Sequence, residues 1–239
     1  LDRLAAQQNK VADISLRIKP GIEAHTHEAV MTGQIDSKFG FALETGEAME
    51  AVKFATKFRH VRLKGMHNHI GSQIFDIEPF KGAAKVMLEF MNQIRTETGI
   101  VIEELNLGGG FGIKYVDSDK PVPYGDYMKE ISHVVYQTCE TLDFPVPYIF
   151  MEPGRSIVGE AGITLYRVGG IKEIPNIRTY VSVDGGMTDN PRYALYQSEY
   201  SVVVANKANE PAVQKVTIAG RCCESGDLIQ ENTMIQDVE

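Results

Sequence analysis

The chain has 239 residues, 43% hydrophobic and 23% charged, with 24 Lys+Arg against 32 Asp+Glu; its length allows one large domain or two modest ones, and its apolar fraction excludes a disordered chain. A net charge of -8 argues against a general grip on phosphate backbones, and no apolar run approaches the roughly 20 residues of a membrane span, so neither nucleic acid nor a membrane is expected as a partner. Three Cys, two of them adjacent, form neither a disulfide framework nor a CxxC metal site, and residues 1–10 carry no signal-peptide pattern, so reduced thiols and a cytoplasmic location are expected.

The opening residues have helical spacing at Leu1 and Leu4 without a preceding cap, as though the chain begins inside a helix. Ala12, Ile14, Leu16 and Ile18 then alternate with Asp13, Ser15 and Arg17, which predicts a strand ending at Pro20. After a Gly-containing polar loop, the periodicity predicts a helix over 46–58, a strand over 61–66, a helix over 79–98, a strand over 102–107, a helix over 126–142 and a strand over 148–151. Pro79 near a helix start and Gly99 just past its end match the usual asymmetry of helix termini. Strands alternating with helices imply a parallel sheet, doubly wound or a (β/α)8 barrel.

Beyond Arg155 the texture changes. The runs 163–174, 179–183, 200–205 and 213–218 are β-rich with no amphipathic helix between them, and the final residues offer no closing strand. The expected fold class is therefore α/β: the C-terminal half of a (β/α)8 TIM-like barrel over residues 1–157, followed by part of an antiparallel β domain over 158–239. Four strands cannot close an eight-stranded barrel, so the chain is expected to be truncated at both ends and, by itself, inactive.

In parallel α/β folds, ligands sit at the carboxyl ends of the strands, which singles out three loops: His67-Asn68-His69-Ile70-Gly71-Ser72-Gln73, Gly108-Gly109-Gly110-Phe111-Gly112 and Glu152-Pro153-Gly154-Arg155. Successive glycines expose backbone N–H groups without Cβ obstruction, and Arg155 offers a bidentate cation; together they suit a phosphorylated ligand, although glycines also simply make tight turns. Glu152 ends an apolar strand and is expected to be partly desolvated, as a carboxylate paired with a pyridine nitrogen would be. His67 and His69 stand at i and i+2, as do His25 and His27. Two such pairs suit a divalent metal, so a metal-dependent barrel hydrolase completed by a carboxylate such as Asp184 is the alternative. Single histidines are more often structural, which is the expectation for His25, His27, His60 and His133. Cys222 and Cys223 lie in a Gly-flanked polar loop, where a thiol is either inert or a proton carrier.

The ordered motifs EAHTH, TGQIDSKFGF, HNHIGSQ, LNLGGGFG, MEPGRSIV, VDGGMTDNPRYALY and CCESGD resemble the diaminopimelate decarboxylases, fold-type III pyridoxal-phosphate (PLP) enzymes of lysine biosynthesis. The match covers nearly the whole chain, and Cys-Glu-Ser-Gly-Asp separates this family from its ornithine and arginine decarboxylase relatives. The resemblance implies decarboxylation of meso-2,6-diaminopimelate to L-lysine. It implies that His69 stacks on the PLP ring, that Ser72, Gly108, Gly109, Gly110, Pro153, Gly154 and Arg155 surround its phosphate, and that Glu152 pairs with its nitrogen. Arg155, Arg192, Tyr196 and Glu224 would contact substrate, and Cys223 would donate a proton. In this family Cys223 and Glu224 reach into the partner's site, so a homodimer is implied; no metal is. No lysine here stands in the family's Tyr-Ala-x-Lys-Ala-Asn context and no Ala-Gly-Ala-Tyr stretch is present, which keeps a non-catalytic relative as a further alternative.

Overall fold

The computed structural model describes residues 1–22 and 38–238. Two compact units emerge: residues 1–113 with 120–160, and residues 114–119 with 161–239.

In the first unit, α1 (Asp2–Gln7) leads into β1 (Ala12–Lys19), followed by β2 (Phe41–Ala42), α2 (Glu47–Ala55), β3 (Val61–His67), α3 (Glu78–Thr98), β4 (Glu104–Asn106), α4 (Tyr124–Thr141), β5 (Tyr148–Phe150) and α5 (Arg155–Val158). The five strands form one parallel sheet in the order β2-β1-β3-β4-β5. α3 forms because Phe80, Ala83, Ala84, Met87, Leu88, Met91 and Ile94 recur at three- and four-residue spacing and are all buried. Pro79 stands in its first turn, and Gly99, at φ 73, ends it in the left-handed conformation that a side chain disfavours. The α4 stripe of Tyr127, Ile131, Val135 and Cys139 joins the same core, with Ile18, Met66 and Leu105 from the sheet. β2 departs from the expected uninterrupted loop: its two residues, Phe41 and Ala42, are too few to show a period, and pairing with Ile18 and Lys19 makes them a strand.

Register decides which side chains share a face. Arg17 pairs with His67, His67 with Asn106 and Asn106 with Phe150 across β1, β3, β4 and β5. One row of side chains therefore crosses the sheet at the carboxyl edge, and two residues further along lie His69, Gly108 and Glu152.

The second unit carries β6 (Val168–Ile174), β7 (Arg178–Val183), α6 (Arg192–Tyr196), β8 (Gln214–Ala219) and β9 (Leu228–Ile235). Its sheet runs β6-β7-β8-β9, with two antiparallel pairs joined by a parallel β7–β8 pairing, so it is mixed and not simply antiparallel. Val181, Val183, Val216, Ile218, Ile229 and Ile235 form its core. Three sequence expectations need correcting. The 163–174 run becomes a strand only from Val168. Residues 200–205 are not a strand: the amides of Tyr200 and Val204 donate to the side-chain oxygens of Gln230 and Gln236, at 2.9 Å each, so glutamines replace a backbone ladder. The C-terminal residues do form a closing strand, β9; Asn232 at φ 52 and the shifted register against β8 break the two-residue period that would have revealed it.

Candidate active site

The three loops picked from the sequence leave the carboxyl ends of β3, β4 and β5 and are tied together by backbone bonds. Asn68 N–H donates to Asn106 O at 2.8 Å, Ile74 N–H to Gly110 O at 2.9 Å, Gly112 N–H to Ile74 O at 2.9 Å and Glu152 N–H to Gly108 O at 2.8 Å. The glycines are needed for this closeness. A Cβ on Gly109 would fall 2.1 Å from Glu152 O, and one on Gly110 would fall 2.1 Å from Gly71 O, with Gly110 also at φ 101. Their amides are only partly open to a ligand: Gly108 N–H donates to Asn106 Oδ1 at 2.8 Å and Gly109 N–H to His69 Nδ1 at 3.3 Å. Two of the three amides expected to face an anion are therefore turned to side chains, and among the described residues Gly110 N–H is the one without a partner.

The cationic end of the site is built by Arg155, which donates through one guanidinium nitrogen to Ser72 Oγ and through the other to Gln73 Oε1, at 3.2 Å. Gln73, at φ 59, is itself locked: its side chain donates to Ile113 O at 2.6 Å and accepts from Ile113 N–H at 3.2 Å. Pro153 and Gly154 link this end to Glu152, and a Cβ on Gly154 would meet nothing within 4 Å.

Glu152 forms the acidic end. Its Oε1 accepts from Asn106 Nδ2 at 2.8 Å and lies 3.5 Å from His67 Nε2. The side chain is 54% exposed. β5 is the edge strand of the described sheet, and Tyr148, Ile149 and Phe150 are exposed with it. His67 stands at this acidic end, and His69 Nδ1 meets the Gly109 amide. Burial holds both His67 and His69 below the ordinary imidazole value, and the Arg17 guanidinium pushes the same way, against Glu152. His69, accepting at Nδ1, presents a neutral ring.

His25 and His27 lie outside the described residues. Among those described, no three His, Cys, Asp or Glu side chains come together as a metal cluster, and Asp184 accepts the Arg167 amide at 2.8 Å. The backbone N–H of His60 donates to Asp2 Oδ1 at 2.7 Å, and its imidazole Nδ1 lies 3.5 Å from the same oxygen.

The other sequence candidates lie in the second unit. Arg192 and Tyr196 are both on α6, and the Arg192 guanidinium lies over the rings of Tyr115, at 4.8 Å, and Tyr200, at 5.9 Å. Cys222, Cys223 and Glu224 occupy the β8–β9 loop, with Cys223 exposed. Glu224 Oε1 accepts from Gly226 N–H at 3.2 Å within that loop. Asp227, 2% exposed, pins it: its two carboxylate oxygens accept from Met187 N–H at 2.5 Å and Cys222 N–H at 2.7 Å. Asp227 also pushes the Cys222 thiol up.

Asn106 and Arg17 were given no role by sequence reasoning, and Gln73 and Asp227 entered it only as members of their motifs. Asn106 could have been found, since it stands two residues before Gly108 and so shares its face of the strand.

A carboxylate, an arginine with a hydroxyl and an open amide, and a neutral imidazole, gathered on three neighbouring strand-end loops, fit a flat ring that carries a basic nitrogen and a phosphate. Residues 1–159 match the family described as "Pyridoxal-dependent decarboxylase, pyridoxal binding domain". Among curated proteins the chain is 51% identical over 232 residues to a diaminopimelate decarboxylase of Halalkalibacterium halodurans, covering 96% of this chain and 53% of that protein. It is 50% identical over 229 residues to one of Staphylococcus aureus, covering 96% and 52%. The crystal structure of a diaminopimelate decarboxylase from M. jannaschii superposes with a TM-score of 0.84 at 34% identity, over 100% of this chain and 54% of that one. A Helicobacter pylori enzyme of the same name, complexed with L-lysine, gives 0.83 at 30%, over 100% and 56%. The chain thus spans about half the length of the curated relatives it matches. It belongs to the pyridoxal-dependent decarboxylase family.

Proposed function

We propose that the complete protein decarboxylates meso-2,6-diaminopimelate to L-lysine and CO2 with PLP. The observation that carries this is the pair of opposite charges on one loop, Glu152 held by Asn106 and Arg155 held by Ser72 and Gln73, with His69 on the neighbouring glycine loop's amide. The identities of 50% and 51% to proteins named for that reaction supply the substrate.

When bound, PLP supplies an electron sink for the pair left by the departing carboxylate. The phosphate is held by Arg155, Ser72 and the amide of Gly110, with Gly108, Gly109, Pro153 and Gly154 shaping the walls. Glu152 would hold a proton at the ring nitrogen, and His69 would pack against the ring. Cys223 delivers a proton to the substrate α-carbon. Arg155, Arg192 and Tyr196 contact the substrate, Arg192 taking the distal carboxylate as a planar fork, and Glu224 takes the distal ammonium. A homodimer, with Cys223 and Glu224 acting in the partner's site, and a cytoplasmic location complete the proposal; among the described residues no helix is long and apolar enough to cross a membrane.

The test is incubation of the purified complete protein, loaded with PLP, with meso-diaminopimelate, ornithine and arginine in turn, following CO2 and free amino acids, alongside elemental analysis for zinc. Lysine release from diaminopimelate far ahead of the other two substrates is expected. Preference for ornithine or arginine would overturn the substrate, stoichiometric zinc without PLP would favour the hydrolase, and bound PLP without turnover of any of the three would point to a non-catalytic relative.

A further inference from the structure

We propose that Asn106 is a positioning residue that fixes the Glu152 carboxylate and couples it to the glycine loop. This rests on the assignment of Glu152 to the ring nitrogen. Three hydrogen bonds form a closed circuit: Asn106 Nδ2 donates to Glu152 Oε1 at 2.8 Å, Glu152 N–H donates to Gly108 O at 2.8 Å, and Gly108 N–H donates to Asn106 Oδ1 at 2.8 Å. The circuit admits one orientation of the Asn106 amide, because Gly108 N–H can only donate and the carboxylate can only accept.

The circuit matters because Glu152 needs it. The side chain has three rotatable bonds, each of which must be fixed if the carboxylate is to hold one position. Asn106 holds Oε1, and His67 Nε2, which is buried and has no hydrogen-bond partner among the described residues, faces the same oxygen at 3.5 Å. Both neighbours gather on Oε1, which leaves Oε2 as the oxygen to accept a proton-bearing ring nitrogen. The backbone side of Asn106 is equally fixed, since its row runs through His67 and Phe150 in paired strands.

A plainer role is an Asx turn in which Asn106 merely caps Gly108 N–H. The two roles separate on Asn106→Asp. Aspartate keeps the acceptor for Gly108, so a turn role predicts little change. A positioning role predicts damage, because the donor is replaced by a carboxylate facing Glu152. Asn106→Ser keeps a short acceptor without reach to Glu152 or added charge, and serves if the aspartate variant does not fold. In the complete PLP-loaded protein, both variants should lower kcat about 10- to 100-fold, the worth of a hydrogen bond to a charged group. In a Glu152→Gln background the same substitutions should cost less than about 2-fold, since the group acted upon is gone. A readout without cofactor or turnover is the titration of 13C-labelled Glu side chains in the PLP-free protein. In Asn106→Asp the two carboxylates should share a proton, with one titrating above the ordinary carboxylate range. Unchanged kcat and an unshifted Glu152 titration in Asn106→Asp, or an undiminished loss in the Glu152→Gln background, would overturn the inference. An unchanged kcat in Glu152→Gln alone would instead overturn the Glu152 assignment on which it rests.

Discussion

Replacing Gly109 by alanine adds one methyl group where the structure has no room for it. The Cβ would lie 2.1 Å from Glu152 O and 3.0 Å from its carbonyl carbon. Both are backbone atoms, so no rotamer relieves the contact and the loops after β4 and β5 must part by at least about 1.3 Å to reach ordinary van der Waals separation. That motion strains the bonds that join them, Glu152 N–H to Gly108 O at 2.8 Å and Leu107 N–H to Phe150 O at 3.0 Å. Overpacking costs about 1–3 kcal/mol and each of the two weakened hydrogen bonds about 0.5–1.5 kcal/mol, so a loss of about 2–6 kcal/mol is expected. For a chain of this size that corresponds to a melting temperature lower by roughly 4–24 °C. Gly125→Ala is the control: the same methyl group, in the first turn of α4, would meet nothing within 4 Å. It should stabilise by about 0.4–1 kcal/mol through the unfolded chain. Melting of the three proteins by circular dichroism decides the matter. A Gly109→Ala protein that melts within about 1 °C of the parent would refute the account of the glycines as a close-approach device.

Glu152→Gln in the complete enzyme should lower kcat by orders of magnitude while PLP stays bound, because an amide cannot hold the ring nitrogen protonated; kcat and PLP titration read this, and an unchanged kcat would leave Glu152 as a strand-end carboxylate. Cys223→Ala should spoil turnover and misdirect protonation far more than Cys222→Ala, whose thiol is pushed up by the neighbouring Asp227 carboxylate; equal effects on product distribution would reject the assignment. Arg192→Ala should reduce kcat/KM about 30- to 1000-fold with little change in PLP affinity, and Arg192→Lys should recover part of it; a parallel loss of PLP binding would withdraw the substrate role. Stability should fall with pH in two windows, followed by urea unfolding. His67 and His69 are held below 6.5, so the unfolded chain takes up their protons first, and their contribution, complete above about pH 6.5, is lost as pH drops toward the folded values. Asp227 and Glu231 are held below 3.8 and 4.5, so their contribution is lost further down, as pH falls through those values. A flat stability between about pH 7.5 and 5 would contradict the burial of the two imidazoles.

The alternating strands and helices of the first unit were legible because each follows one period: the apolar stripe from Phe80 to Ile94 can only be a helix face, and Ile14, Leu16 and Ile18 only a strand face. The three strand-end loops, and with them His69, Ser72, the glycines, Glu152 and Arg155, were legible for a related reason, since in a parallel sheet every strand ends on the same edge. β2, the true nature of residues 200–205 and β9 were not, because pairing partners far along the chain created them, through Ile18, through Gln230 and Gln236, and through the shifted register with β8. The site divides in the same way. Residue types announced an anion-binding end and an acidic end. Only the register of β3, β4 and β5 placed Asn106 beside Glu152 and turned two glycine amides onto side chains. A local period records what a residue's own neighbours require; a hydrogen bond between residues 46 positions apart, such as that from Asn106 to Glu152, depends on how strands pair, and no local period carries that information.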